Sequence, residues 1–158
     1  MNKMYYNDNA VGIVNHTSVD NQALIDLIQR SATSIVIPSG TTSIGIQAFN
    51  SCYSLSNVNI PDSVTSIGHS AFYNCRSLTS VAIPSGVTNI GRYAFGDCSG
   101  LASVTVNATT PPTAGSNLFQ NTPIASGTGY IYVPDVDAYK QASGWDTYAT
   151  QIMAIPNS

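Results

Sequence analysis

The chain has 158 residues, of which 43% are apolar and only 8% charged, and a net charge of −3. Abundant, periodic apolar residues argue against disorder, and five Lys and Arg against eight acids, all of them aspartate, argue against nucleic acid as a partner. No apolar run approaches the roughly 18 residues that insertion into a membrane requires, and no basic amphipathic face marks a membrane surface. Ser, Thr, Asn and Gly fill the polar positions instead. Such an uncharged surface suits glycan contact or regular self-association.

Residues 1–17 are not repetitive. Asn7-Asp8-Asn9 reads as a turn between two short extended pieces, 4–6 and 11–14. Tyr5 and Tyr6 are placed to pack on the first repeat or on a neighbouring molecule. No secretory leader is legible, since one Lys is present but no long apolar run follows it. Residues 19–30 then read as an amphipathic helix. Ser18 or Asp20 caps it, Ala23, Leu24, Leu27 and Ile28 recur at helical spacing, and Asp20 and Arg30 agree with the helix dipole. Its expected job is to cover an open end; docking a partner is the alternative.

From Thr33 to Val106 one pattern is written three times. Ile37-Pro38, Ile60-Pro61 and Ile83-Pro84 are matched by Ala48-Phe49, Ala71-Phe72 and Ala94-Phe95, and by Cys52, Cys75 and Cys98. The period is fixed: 60 − 37 = 23, 83 − 60 = 23, 75 − 52 = 23, 98 − 75 = 23. A constant period of this size predicts a solenoid, one coil of chain per repeat. Within a repeat, Ser56 to Pro61 alternates polar and apolar, which predicts a strand with Val58 and Ile60 inward and Asn57 and Asn59 outward. Pro61 ends it for want of an N–H. A second extended piece follows, buried through Val64 and Ile67, and Gly68 turns the corner. Ala71, Phe72 and Cys75 are spaced for a single helical or 3₁₀ turn, and Leu78 leads back to the next strand. The three cysteines share one repeat position. They read as a ladder of buried thiols; a disulfide between adjacent coils is the alternative. A zinc site is disfavoured, because neither His16 nor His69 stands at ligand spacing.

The pattern L-x-x-V-x-I-P-x-x-V-x-x-I-G-x-x-A-F-x-x-C, here Leu55, Val58, Ile60, Pro61, Val64, Ile67, Gly68, Ala71, Phe72 and Cys75, resembles the BspA-like, Treponema-type leucine-rich repeat family. The first unit departs at Thr41, where later units have Val64 and Val87. The resemblance implies a curved, right-handed α/β solenoid. It also implies a non-catalytic role in adhesion or recognition at microbial surfaces.

After Val106 the period slips. Leu118-Phe119 stands 24 residues after Ala94-Phe95 (118 − 94 = 24), so residues 111–121 read as a fourth, degenerate unit with one insertion. Tyr130 to Pro134 reads as the last strand and residues 135–142 as a short helix capped by Asp135 or Asp137. Ser143-Gly144 stops that helix, and Trp145, Tyr148 and Ile152 form a further apolar piece. Val133, Pro134, Ala138, Tyr139, Lys140, Gly144 and Trp145 are similar to a closing tail of the same family. Trp145 is expected to cap the stack, with a ligand platform as the alternative. The expected units are an N-terminal arm and capping helix (1–32), a solenoid (33–134) and a C-terminal cap (135–158).

No catalytic constellation is legible. His16 and His69 sit in no motif, Asp62 and Asp97 read as solvated turn residues, and no cofactor or metal is expected. Binding is better supported. Outward positions of the strand form columns, Ser34, Asn57, Ser80, Ser103 and Val36, Asn59, Ala82, Thr105, which are small and uncharged and supply no hot-spot anchor. Tyr53, Tyr73 and Tyr93 flank the Phe positions, with Arg76 and Arg92 near Tyr73 and Tyr93 for stacked pairs. The expected function is a non-enzymatic recognition or adhesion module, extracellular or on a microbial cell surface, binding a protein or glycan ligand. The alternative is a structural component of a phage virion, self-associating through the N-terminal arm.

Overall fold

The computed structural model describes residues 3–7, 10–14 and 31–157. The expected helix over 19–30, the turn at Asp8-Asn9, the side chains of Tyr5 and Tyr6, and His16 lie outside the described residues.

Alternation puts every second residue of each repeat strand inward, and stacking does the rest. Strands β3 (Ser34–Val36) and β5 (Asn57–Asn59) pair in parallel, Ser34 opposite Asn57 and Val36 opposite Asn59. Strands β7 (Ser80–Ile83) and β9 (Ser103–Val106) do the same, Ser80 opposite Ser103 and Ala82 opposite Thr105. β5 lies beside β7. Ile35, Val58, Val81 and Val104 point from these strands into the core. An antiparallel hairpin of β1 (Lys3–Asn7) and β2 (Ala10–Val14) adds to the same side, with β2 parallel to β3. A second side is built from two-residue strands, β4 (Ser43–Ile44), β6 (Ser66–Ile67), β8 (Asn89–Ile90) and β10 (Thr113–Ala114), stacked in parallel through buried Ile44, Ile67 and Ile90. β10 pairs with β8 at a 24-residue offset, Thr113 opposite Asn89, which is the single inserted residue of the fourth unit.

The third side corrects the expected helical or 3₁₀ turn: among the described residues no helix lies within the coils. Successive amides alternate between two jobs. Ser70, Phe72 and Asn74 donate to the next coil, at Arg92 O (3.0 Å), Ala94 O (2.8 Å) and Gly96 O (2.8 Å). Ala71, Tyr73 and Cys75 donate three residues back along their own coil, to Gly68, Ser70 and Phe72. Gln47, Phe49 and Ser51 below, and Tyr93, Phe95 and Asp97 above, repeat the inter-coil set. The alternation needs left-handed backbone at fixed places: Gln47, Ser70 and Tyr93 (φ 54 to 56°), and Ser51, Asn74 and Asp97 (φ 56 to 64°). A continuous helix would have spent every amide within its own coil.

Gly68, Gly91 and Gly115 stand where the chain leaves the second side for the third. A Cβ on Gly91 would lie 2.5 Å from His69 N, and one on Gly68 2.7 Å from Gly45 C. Glycine is required there by the approach of the coil below. Inside, the phenylalanines form one column: Phe49 to Phe72 5.2 Å, Phe72 to Phe95 5.4 Å and Phe95 to Phe119 6.0 Å between ring centroids, all stacked. Cys52, Cys75 and Cys98 are free, buried thiols, and the last two donate to Phe49 O and Phe72 O. Flanking thiols that hydrogen-bond to it, and then burial, hold the Cys75 thiol far above its ordinary pKa. Thr41, the departure in the first unit, is half-buried where Val64 and Val87 are fully covered.

The strand over Tyr130 to Val133 is present as β11 (Tyr130–Val133), but it is not the last. Helix α1 (Val136–Gln141) begins at Asp135, whose carboxylate accepts from Ala138 N at 3.0 Å. A 3₁₀ helix (Asp146–Gln151) follows, and then β12 (Ile152–Ala154) pairs in parallel outside β11. The segment between them lies over the end of the phenylalanine column. Trp145 and Tyr148 pack on Phe119 with centroids 6.4 and 5.3 Å away. Trp145 is fully buried and donates from Nε1 to Pro112 O at 2.7 Å, which removes it as a ligand platform. Tyr139 donates to Ala108 O at 2.6 Å.

Phe72→Ala empties the middle of the column and is expected to cost about 3–5 kcal/mol, whereas exposed Asn57→Ala is expected to cost under about 0.5 kcal/mol; chemical denaturation of the two variants measures both. Burial raises the Tyr139 and Tyr148 phenols, with the Phe119 amide opposing it slightly at Tyr148. The folded chain thus holds them neutral while the unfolded chain ionises them near pH 10. Their contribution to stability is intact below about pH 10 and is lost as pH climbs through the native pKa values. Denaturation midpoints between pH 8 and pH 11 are expected to be flat at first and then to fall, and Tyr139→Phe is expected to flatten the alkaline limb.

Candidate binding surfaces

The strand side keeps the expected columns outward. Asn57, Asn59 and Ser80 are exposed, and Ser34, Ser103 and Thr105 are half-buried. The half-burial of Ser103 and Thr105 has a neighbour to explain it. β11 pairs with β9 so that Tyr130 lies opposite Ser103 and Tyr132 opposite Thr105, and Met153 of β12 lies opposite Tyr132. Two tyrosines and a methionine therefore end the columns. Tyr130 and Met153 are each 41% exposed, and the Tyr130 and Tyr132 rings are 6.3 Å apart. With Ile131 and Val133 buried, the alternation along β11 puts both tyrosines on the outer face. The spacing in the sequence does not join them to the columns, because 130 − 103 = 27 breaks the repeat period.

The turn side carries the other tyrosines, in two groups. Tyr73 and Tyr93 meet edge-on at 6.3 Å, and the His69 ring stands 6.1 Å from Tyr93. Tyr73 donates to Asp97, which also accepts from Asn121 Nδ2 at 2.7 Å, and Asn117 Nδ2 lies 2.9 Å from the Tyr93 hydroxyl. The hydrogen bond to Asp97, followed by burial and the nearby charge, raises the Tyr73 phenol. Asp97 is thus the hub of a network, not a solvated turn residue. Its carboxylate bridges the coils on either side, bonded to Tyr73 and to Asn121, a feature that repeat phase alone does not reveal. Tyr53 stands apart. It is exposed, with the Arg76 guanidinium 5.2 Å over its ring. Arg76 therefore pairs with Tyr53 and not with Tyr73; Asn74 Oδ1 holds its Nε at 2.8 Å.

Among the described residues no group of three His, Cys, Asp or Glu is placed to hold a metal ion, and no helix is long and apolar enough to cross a membrane. Ser70 Oγ lies 3.2 Å from His69 Nδ1, but that nitrogen is 2.8 Å from Arg92 O and Ser70 is only 6% exposed. This pair offers no open nucleophile.

Several solved structures resemble the chain, among them the following three. A leucine rich cell surface protein from Faecalibacterium prausnitzii A2-165 is 37% identical, with a TM-score of 0.51, over 56% of this chain and 23% of its own. A leucine-rich repeat protein from Eubacterium ventriosum is 25% identical, with a TM-score of 0.54, over 80% of this chain and 34% of its own. The pneumococcal vaccine antigen PcpA, 18% identical with a TM-score of 0.54 over 79% of this chain and 35% of its own, shares the fold alone. The chain thus spans between 23% and 35% of the length of these proteins. No curated protein sequence matches it. The model of the BspA type leucine rich repeat region matches residues 27–137, in six copies. With three units of unbroken period and a fourth stretched by one residue, the chain belongs to the BspA type leucine rich repeat family.

Proposed function

We propose that the chain is a non-enzymatic recognition module that binds a protein ligand at a bacterial cell surface, through the outer face of its strand side. Kinship to a leucine rich cell surface protein supports the location. The observation that carries the reading is the register of β11 and β12, which sets Tyr130, Tyr132 and Met153 at the end of the Ser and Asn columns. Small residues such as Ser80, Ala82 and Asn59 give a flat floor, and the terminal patch gives the aromatic anchors on which protein interfaces depend. In this reading the coil is right-handed, residues 33–134 present the surface, residues 135–158 close one end, and the arm and helix of 1–32 close the other.

The test is binding by biolayer interferometry against an array of purified extracellular proteins, followed by substitution. Tyr130→Ser and Tyr132→Ser are each expected to weaken binding about tenfold or more, while Asn57→Ala changes it little. Affinity that survives both tyrosine substitutions would place the ligand elsewhere. Assembly through the N-terminal arm, as in a particle component, predicts instead a chain that is oligomeric in light scattering and becomes monomeric when residues 1–15 are removed.

A further inference from the structure

Between the turn segment of the fourth unit and the 3₁₀ helix Asp146–Gln151 lies a cleft of about 470 Å³. Asn117, Gln120, Asn121, Ser126, Thr147 and Gln151 give it its polar lining. A second hollow of about 420 Å³ adjoins it, lined by Ser99, Thr122 and Pro123 and sharing Asn121, Ala125 and Ser126 with the first. No charged side chain lines either one. We infer that these adjoining hollows are a binding site for a neutral oligosaccharide, its successive sugar units seated along the loop of residues 121–126.

The chemistry of the lining selects that class. Side-chain amides and hydroxyls offer donors and acceptors together, as sugar hydroxyls do. Gln120 and Thr147 make no side-chain hydrogen bond among the described residues and are available to a ligand. Others are held in place. Asp97, a carboxylate that only accepts, takes Asn121 Nδ2 at 2.7 Å and so turns the Asn121 carbonyl oxygen away, free to accept. Gln151 donates to Gly127 O and Gly129 O, both at 3.1 Å, and fixes the far wall. Such preorganisation lowers the entropy lost on binding. Charge disfavours an anion, because the chain carries −3 and Asp97 stands behind Asn121. An apolar peptide side chain finds no vacant pocket, since Ile124 and Tyr148, the large apolar residues of the lining, are 1% and 8% exposed. The site is separate from the strand face, so each can fail without the other.

Saturation-transfer NMR on the whole chain, with maltotriose, cellotriose, chitotriose and lacto-N-tetraose as neutral probes and sialyllactose as the anionic one, tests the site. At least one neutral probe is expected to show transfer. Gln120→Ala and Thr147→Ala are each expected to weaken it about tenfold with the melting temperature unchanged, and Tyr132→Ser is expected to leave it intact. No transfer from any neutral probe, preference for sialyllactose, or cleft variants that bind as tightly as the unsubstituted chain would overturn the assignment.

Discussion

Everything in this molecule answers to the spacing that backbone hydrogen bonds impose between coils, about 4.8 Å in any sheet. Here the bonds run on three sides of each coil, two of them as strands and the third as alternating turn amides. Residues one period apart must therefore lie almost directly above one another. Phenylalanine rings meet that demand by stacking 5.2 to 6.0 Å apart. Thiols meet it by being small, and glycine meets it where a Cβ would strike the coil below. The uniform repeat is the record of a single distance.

The same constraint makes ends expensive, because the last coil leaves a phenylalanine and a row of backbone groups without partners. At the C-terminal end both are met by one segment. Trp145 and Tyr148 cover Phe119, while β12 supplies the next strand beside β11. Closing the stack required leaving the repeat, and leaving it introduced large residues. The aromatic end of the strand face and the amide-lined cleft both sit there, against coils whose strand-side columns are mostly small Ser, Asn, Ala and Thr. On the strand side, differentiation is concentrated where periodicity fails.

That contrast also explains what could be read from the residues alone. The solenoid, the inward rows of Ile, Phe and Cys and the outward rows of Ser and Asn follow from period and alternation, and so does the one-residue insertion before Phe119. The turn side was misjudged because the spacing of Ala71, Phe72 and Cys75 is shared by a helix and by consecutive turns. Only the hydrogen bonds to the coil above separate the two, and the left-handed residues that permit them include Gln47 and Tyr93, which carry no turn signature. Tyr130 and Tyr132 were legible as residues of a strand but not as members of the columns. The Asp97 network joins residues 24 positions apart, and the cleft is braced by bonds over 22 and 24 positions across an irregular loop; no pattern of single residues announces either.

The claim on which the account rests is that the turn side is bonded coil to coil as firmly as the strands are. Native-state hydrogen exchange at single amides measures this directly. Ser70, Phe72 and Asn74 are predicted to exchange as slowly as Val81 in the adjoining strand, all of them opening only when the stack opens as a unit. Rapid exchange at those three amides, with the strands still protected, would contradict it.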